Sequence, residues 1–271
     1  MTAASSATIA AAPAFDGVAD DYDASFTFSN IGRAQRDVVW QRILSVFHAG
    51  DHILELNCGT GQDALFMVQA GMRVTGCDAS PRMVECARRS VAAKGVAREA
   101  EFHTLATEEL RILPEQGLFD GLLSNFGGLN CVSDLSLVAC EAARRLKPGA
   151  PLLLCLLNRV CAWEIAYYLL RGRVRKAVRR CGGAVIAQMG EHTFPVQYPT
   201  VAELRGIFEP EFRIVALTGV GITVPPSYCE SWIARWPRLL RGMKAIDDQI
   251  RATPGIRTLG DHILLHVEKR A

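Results

Sequence analysis

No charge of either sign dominates this chain of 271 residues. Lys+Arg 30 against Asp+Glu 28 leaves a formal +2, so no bulk field draws the whole chain onto nucleic acid. Long hydrophobic runs are missing as well. The longest, Pro151 to Leu157, is far too short for a bilayer-spanning helix, which needs about 20 residues, so no integral membrane association is expected. The nine cysteines form no CxxC pair and no Cys/His cluster, which leaves no metal implied. An odd cysteine count without a secretory signal fits a reducing, cytoplasmic setting better than a disulfide scaffold. Residues 1–14 lack a basic start and a long apolar core, and read as a disordered tail ahead of a domain at 15–271. What is present is ordinary globular composition, 49% hydrophobic and 21% charged, which excludes disordered and fibrous classes and allows a substantial core.

Ile31 to Phe47 places Ile31, Ala34, Val38, Val39, Leu44 and Phe47 mostly three or four apart, as in an amphipathic helix. His52 to Asn57 is a short apolar run closed by Cys58-Gly59-Thr60-Gly61, after which Ala64 to Ala70 resumes helical spacing until Gly71. The unit then repeats. Arg73 to Cys77 is a strand ending at Asp78, Ser80-Pro81 is an N-cap with proline at the first helical position, and a helix runs to about Lys94. Further strands read at Glu101 to Leu105, Phe119 to Ser124 and Pro151 to Leu157, with a helix over Ser133 to Leu146. Such alternation predicts right-handed βαβ units and an α/β fold with a parallel sheet. Residues 158–198, rich in Arg and aromatics, break the pattern and are expected to be an inserted helical lid or substrate segment. Thr200 and Glu203 make a capping box, Phe212 to Thr223 reads as a strand, and His262 to Val267 as a last strand closing the sheet in a hairpin-like pair.

In open α/β sheets, ligands sit beyond the carboxyl ends of the strands where the strand order reverses, and the first strand-turn-helix usually lies there. Gly59 and Gly61 occupy that turn, where the lack of Cβ atoms lets the backbone pass close to a ligand and the following helix offers free N–H groups. Asp78, ending the neighbouring strand, is placed to accept hydrogen bonds from ribose hydroxyls. Together they imply an adenosine ligand. Gly59-x-Gly61-x-x-Ala64 with Asp78 about 20 residues on also satisfies the dinucleotide fingerprint, so a nicotinamide-dependent oxidoreductase stands as an alternative.

The same residues resemble the class I S-adenosylmethionine-dependent methyltransferases, and within them the small-molecule group of ubiquinone/menaquinone C-methyltransferase-like enzymes. Glu55 to Gly61 is similar to their E/D-x-x-x-G-x-G first motif and Asp78 to Met83 to their second. Phe119-Asp120 leading into Ser124-Asn125, and Arg145 to Gly149, are similar to two later motifs, so the resemblance covers about residues 15 to 157. It implies a Rossmann-like, doubly wound, seven-stranded sheet, mostly parallel with an antiparallel last strand. S-adenosyl-L-methionine is the cofactor it implies, with Gly59 and Gly61 on the methionyl part and Asp78 on the ribose. It further implies Ala79 and Met83 beside the adenine, Asn125 and Phe126 beneath the reactive methyl, and Tyr22 closing over the cofactor. Asn57 lies inside the first motif. Ala106-Thr107 aligns with a pair that meets the adenine amino group in the family, with Ala106 main-chain atoms or the Glu108 side chain as substitutes. Glu55 is placed to orient the cationic end of this cofactor, whereas an acid there repels a pyrophosphate.

Methyl transfer is an in-line displacement from a good leaving group, so alignment carries much of the catalysis and a dedicated base is optional. The candidates for holding or removing an acceptor proton are His192, Tyr198 and Tyr167 from the inserted segment, with Asn130 after the fourth strand. His103, His262 and His266 fall on strands and read as structural. Trp163 to Arg180 carries apolar residues along one helical face and Arg171, Arg173, Arg175, Lys176, Arg179 and Arg180 in its second half. A solvated basic face, an acidic or lipid-like substrate, and an anionic membrane surface all remain open for it, whereas nucleic acid is disfavoured by the small footprint. The expected activity is methyl transfer to a small, hydrophobic or aromatic metabolite, with a non-catalytic S-adenosylmethionine-binding protein as the other alternative.

Overall fold

The computed structural model describes residues 7–114 and 117–271. Its strands are β1 (His52–Leu56), β2 (Arg73–Asp78), β3 (Ala100–Thr104), β4 (Gly121–Ser124), β5 (Pro151–Leu157), β6 (Ala184–Met189), β7 (His192–Gln197), β8 (Phe212–Val220) and β9 (His262–Lys269). The helices are α1 (Ala7–Asp16), α2 (Ala19–Tyr22), α3 (Asn30–Val46), α4 (Gln62–Gln69), α5 (Pro81–Ala93) and α6 (Leu135–Arg145). They continue with α7 (Ala162–Leu169), α8 (Val174–Ala177), α9 (Val201–Phe208), α10 (Glu230–Ile233) and α11 (Pro237–Ile250).

A seven-stranded sheet runs in the order β3-β2-β1-β4-β5-β9-β8. β1 to β5 pair in parallel, and β9 lies antiparallel between β5 and β8. This is the doubly wound α/β sheet the motifs imply, and its strand order reverses between β1 and β4. Because successive strand residues face opposite sides, each strand feeds two cores. Leu54 and Leu56, Leu152 and Leu154 face α6 and α9, while Ile53, Leu153 and Cys155 face α3, α4 and α5. The capping signals operate locally as expected: the Ser80 hydroxyl accepts from the Met83 N–H at the start of α5, and Thr200 and Glu203 close a reciprocal capping box on α9.

Two expectations are corrected. The stretch expected to be a disordered tail is helical from Ala7, with Ala11, Ala12 and Ala14 buried; residues 1–6 lie outside the described residues. Its alanines favour helix and are small enough to lie flat on the domain. The single basic helix expected over Trp163 to Arg180 is broken after Leu169, because Gly172 takes a φ of +67 that ends the turn, and only the short α8 follows. Beyond it, β6 and β7 form a separate two-stranded antiparallel sheet that periodicity alone had not marked.

His266 on β9 is held by α3. Arg42 lies 2.7 Å from its Nδ1, and because a guanidinium only donates, that nitrogen is the acceptor and carries no proton. Burial and the Arg42 charge push the imidazole down to about 4. Between there and the ordinary value near 6.5, the unfolded chain binds a proton that the folded one does not. Stability is therefore complete at neutral pH and declines on acidification through that window. Urea unfolding at about pH 7.5 and about pH 5 checks this, with His266→Gln expected to show a shallower decline than the parent.

Candidate functional site

β1 ends in a turn whose backbone leaves the ordinary regions. Asn57 and Gly59 have φ of 54 and 52, and Gly61 has 75 as α4 begins. The two glycines serve different ends. A Cβ at Gly61 would stand 2.7 Å from that of Ala87, so this glycine lets the turn sit against α5, whereas a Cβ at Gly59 would meet nothing within 4 Å. Gly59 thus faces open space. Asp78 braces the turn from β2: one carboxylate oxygen accepts from the Gly59 N–H at 2.9 Å and the other from the Ser80 N–H at 2.9 Å. Each oxygen keeps a lone pair for a further donor. Burial raises the Asp78 pKa, with the two N–H bonds opposing that rise.

Across the strand-order reversal, β4 ends at Asn125 and Phe126. Phe126 is a non-glycine residue at φ 47, a strained conformation of the kind that collects at ligand sites. Its ring is gripped on three sides, edge-on to Phe26 and His262 and 4.7 Å below the Arg36 guanidinium. Arg36, from α3, is paired with Asp63 at 2.5 Å, and Asp63 also accepts from Trp40 and from Asn125. Burial opposes the Arg36 charge, but the Asp63 carboxylate outweighs it and raises the pKa. Composition and motif spacing did not single out Arg36 or Asp63.

The N-terminal segment closes this region. Asp23 accepts from the Thr60 hydroxyl at 2.7 Å and the Gln62 amide at 2.8 Å, which brings Tyr22 over the turn. Burial pushes the Tyr22 phenol up to about 12, with Arg36 opposing and the neighbouring carboxylates adding to the rise, so it is a neutral donor at physiological pH. Glu55 lies beneath the turn. Its pKa is raised well above the ordinary carboxylate value by burial and then by Asp63 and Asp78, against the pull of Arg36.

A cavity of about 300 Å³ opens from this turn. Tyr22, Asn57, Gly59, Asp78, Ala79 and Met83 line one end, and Asn125 and Phe126 its floor. The other end is walled by Leu157, Ala187, Met189, Phe194, Val196 and Tyr198, with Thr8, Ala11, Ala12 and Phe15 of α1 as a roof. α1 is latched to α5, where Asp16 accepts from the Ser80 hydroxyl and the Arg82 N–H. Phe15 meets the hairpin at Phe194, with ring centroids 5.8 Å apart. Asp78 and Arg179 are the charged residues on the lining.

Of the expected site residues, those named in the last paragraph come together around one space. Gly61 and Glu55 support it from behind. Ala106 and Thr107 do not line it: both are buried, and the Thr107 hydroxyl accepts from the Asn57 amide at 3.0 Å. Glu108 reaches α1 instead, accepting from the Thr8 N–H with one oxygen while the other, also buried, has no partner among the described residues. Among the candidates for acceptor chemistry, only Tyr198 reaches the cavity. His192 is exposed where the hairpin turns, and Tyr167 belongs to an aromatic cluster with Tyr168 and Tyr228. Asn130 is fully committed: its amide nitrogen donates to the Leu157 and Gln197 carbonyls and its oxygen accepts from the Leu157 N–H, so it clamps β5 to the hairpin. Among the described residues, no group of three His, Cys, Asp or Glu is placed to hold a metal ion.

A glycine turn braced by an acid from the neighbouring strand, on this sheet order, is the arrangement that the resemblance to class I methyltransferases implies. Residues 53–149 match the family described as "Methyltransferase domain". Over 142 residues the chain is 32% identical to the demethylmenaquinone methyltransferase of Tropheryma whipplei (strain Twist), covering 50% of this chain and 55% of that protein. The chain thus spans about half the length of the curated relatives it matches. A putative S-adenosylmethionine-dependent methyltransferase from Listeria monocytogenes shares the fold at 15% identity and a TM-score of 0.61, covering 88% of this chain and 98% of that one. An N-methyltransferase of Haemonchus contortus solved with S-adenosylhomocysteine does so at 15% identity and a TM-score of 0.61, covering 94% of this chain and 57% of that one. Residues 53–149 thus match a methyltransferase domain, and the fold as a whole is one shared with solved S-adenosylmethionine-dependent methyltransferases.

The residues present suit that cofactor. Gly59 faces open space beside the Asp78 carboxylate, while the Glu55 Oε2 and the Arg36 Nε are buried without partners among the described residues. An unpaired acid and an unpaired guanidinium N–H near one turn complement the ammonium and carboxylate of a zwitterion.

Proposed function

We propose that this protein transfers the methyl group of S-adenosylmethionine to a small, hydrophobic or aromatic acceptor. The observation that carries the reading is the continuity of one cavity from the Gly59 and Asp78 end to a wall of Phe194, Val196, Met189 and Leu157. When bound, the cofactor would supply an electrophilic methyl. The chain's part is alignment: Asp78 and Tyr22 hold the cofactor, Asn125 and Phe126 support it from below, and the apolar wall orients the acceptor and excludes water. Residues 158–198 and α1 act together as the cover of the acceptor end, with β6 and β7 in place of the expected helical lid. The quinone-pathway name of the Tropheryma relative supports a ring-bearing acceptor. The small net charge and the apolar acceptor wall favour a small molecule over nucleic acid. The free cysteines, seven of them buried, suit a reducing cytoplasm, and no helix among the described residues is long and apolar enough to cross a membrane.

Labelled S-adenosylmethionine incubated with the protein and host extract, followed by mass spectrometry, tests the reading. A labelled small metabolite supports it. Tight NADH binding without S-adenosylmethionine binding overturns it in favour of an oxidoreductase, and cofactor binding without any methyl release leaves a binding protein. Tyr198 enters as a positioning donor, because burial raises its pKa against the opposing charges of Arg180 and Arg179 and keeps the phenol neutral. Tyr198→Phe is expected to lower kcat by about tenfold or more while leaving cofactor affinity unchanged. An unaltered kcat removes Tyr198 from the reaction.

A further inference from the structure

Apolar side chains that a folded helix would normally bury stand in solvent on one face. Leu169 at the end of α7, Val174 and Val178 around α8, and Leu170 between them are exposed, Leu170 to 87%. Beside them, Trp232 of α10 and Trp236 and Leu239 at the start of α11 are exposed too, Trp236 to 58%. The two groups form one surface. The Tyr167 ring centroid is 5.1 Å from that of Tyr228, which leads into α10, and that of Trp163 is 6.5 Å from that of Trp232. Exposed cations are interleaved with the apolar residues along the chain: Arg171, Arg173, Arg175 and Lys176 with the first group, Arg235, Arg238 and Arg241 with the second. None of these makes an ion pair among the described residues. The acids close to them are taken, Glu164 by Arg179 and Arg180, and Glu230 by the Asn30 and Ile31 N–H groups.

We propose that this face docks the protein on an anionic lipid bilayer. Exposed Trp and Leu among unpaired Arg and Lys is the composition of an interfacial anchor, in which rings and aliphatic chains enter the headgroup layer and guanidinium groups meet lipid phosphates. A second copy of this chain fits poorly, since two-fold pairing of the face sets Arg against Arg with no free acid opposite. The surface also borders the cavity. Arg179 lines the acceptor end, and its guanidinium lies 6.0 Å from the Tyr168 ring centroid. A docked protein thereby holds the cavity near the bilayer surface. Docking itself does not depend on what the cavity catalyses.

The test is co-sedimentation of the whole chain with phosphatidylcholine vesicles and with vesicles that also contain phosphatidylglycerol. Binding is expected to be roughly tenfold stronger to the anionic vesicles and to fall steeply in about 0.5 M NaCl. Leu170→Ser with Trp236→Ser, and separately Arg173→Glu with Arg175→Glu, are each expected to lower it by roughly tenfold. All four side chains are exposed, so melting temperature and S-adenosylmethionine binding should not move. Equal affinity for both vesicle types, or variants that bind like the parent, overturns the proposal. So does self-association abolished by Leu170→Ser with Trp236→Ser, or retention by an acidic protein without vesicle binding. Because the assay contains no methyl donor, its failure leaves the methyltransferase reading untouched.

Discussion

Arg180→Ala is expected to lower the unfolding free energy by about 3–5 kcal/mol, the usual consequence of removing one partner from a buried ion network. Arg180 donates to Glu164 at 2.7 Å and to Asp261 at 2.9 Å, and also to the Asn158 and Asp261 carbonyls. Side-chain exposure is 7% for the arginine and 1% and 7% for its acids, so water cannot replace the lost charge. The substitution takes the arginine from Asp261, just ahead of β9, where His262 and Gln35 remain beside it, and leaves Glu164 to Arg179 alone. The inserted segment is tied to the sheet at this point, and the cavity wall at Arg179 and Tyr198 loosens with it. Chemical denaturation measures the effect, and a loss below about 1 kcal/mol would show that the network is hydrated in solution.

Asp78→Ala is expected to weaken S-adenosylmethionine binding by about 1–3 kcal/mol, roughly 5- to 150-fold in Kd. Two losses combine. The proposed ribose contact loses its acceptor, and the Gly59 N–H loses the bond that fixes the turn. Titration calorimetry well below the melting temperature of the variant separates affinity from stability. An unchanged Kd rejects the ribose contact.

The parts of this site that could be read in advance are those written in short-range chemistry. Gly59 and Gly61 mark a turn that other residues enter only under strain, Asp78 follows at a fixed distance, and Ser80-Pro81 announces a helix start regardless of the surroundings. Arg36 gave no such signal. It lies mid-helix among polar neighbours, and its meaning comes from Asp63 and Phe126, which the sheet brings to it. The same holds for the roof. An alanine-rich start reads as a tail until one sees Phe194 waiting for Phe15, and the hairpin walling the cavity alternates too weakly to outweigh the arginines before it. His192 and Tyr167 had the right functional groups for acceptor chemistry, but a turn exposed one and an aromatic cluster absorbed the other.

The position of β9 also shapes how the molecule is made. Both of its edges are bonded, to β5 on one side and β8 on the other, although it follows all the other described strands in the chain. Until residues 262–269 leave the ribosome, β5 presents a bare apolar border and β8 has nothing to join. Nascent chains of this protein therefore pass through a half-built state with a sticky rim, and holding chaperones would be most needed between the synthesis of β8 and the emergence of β9.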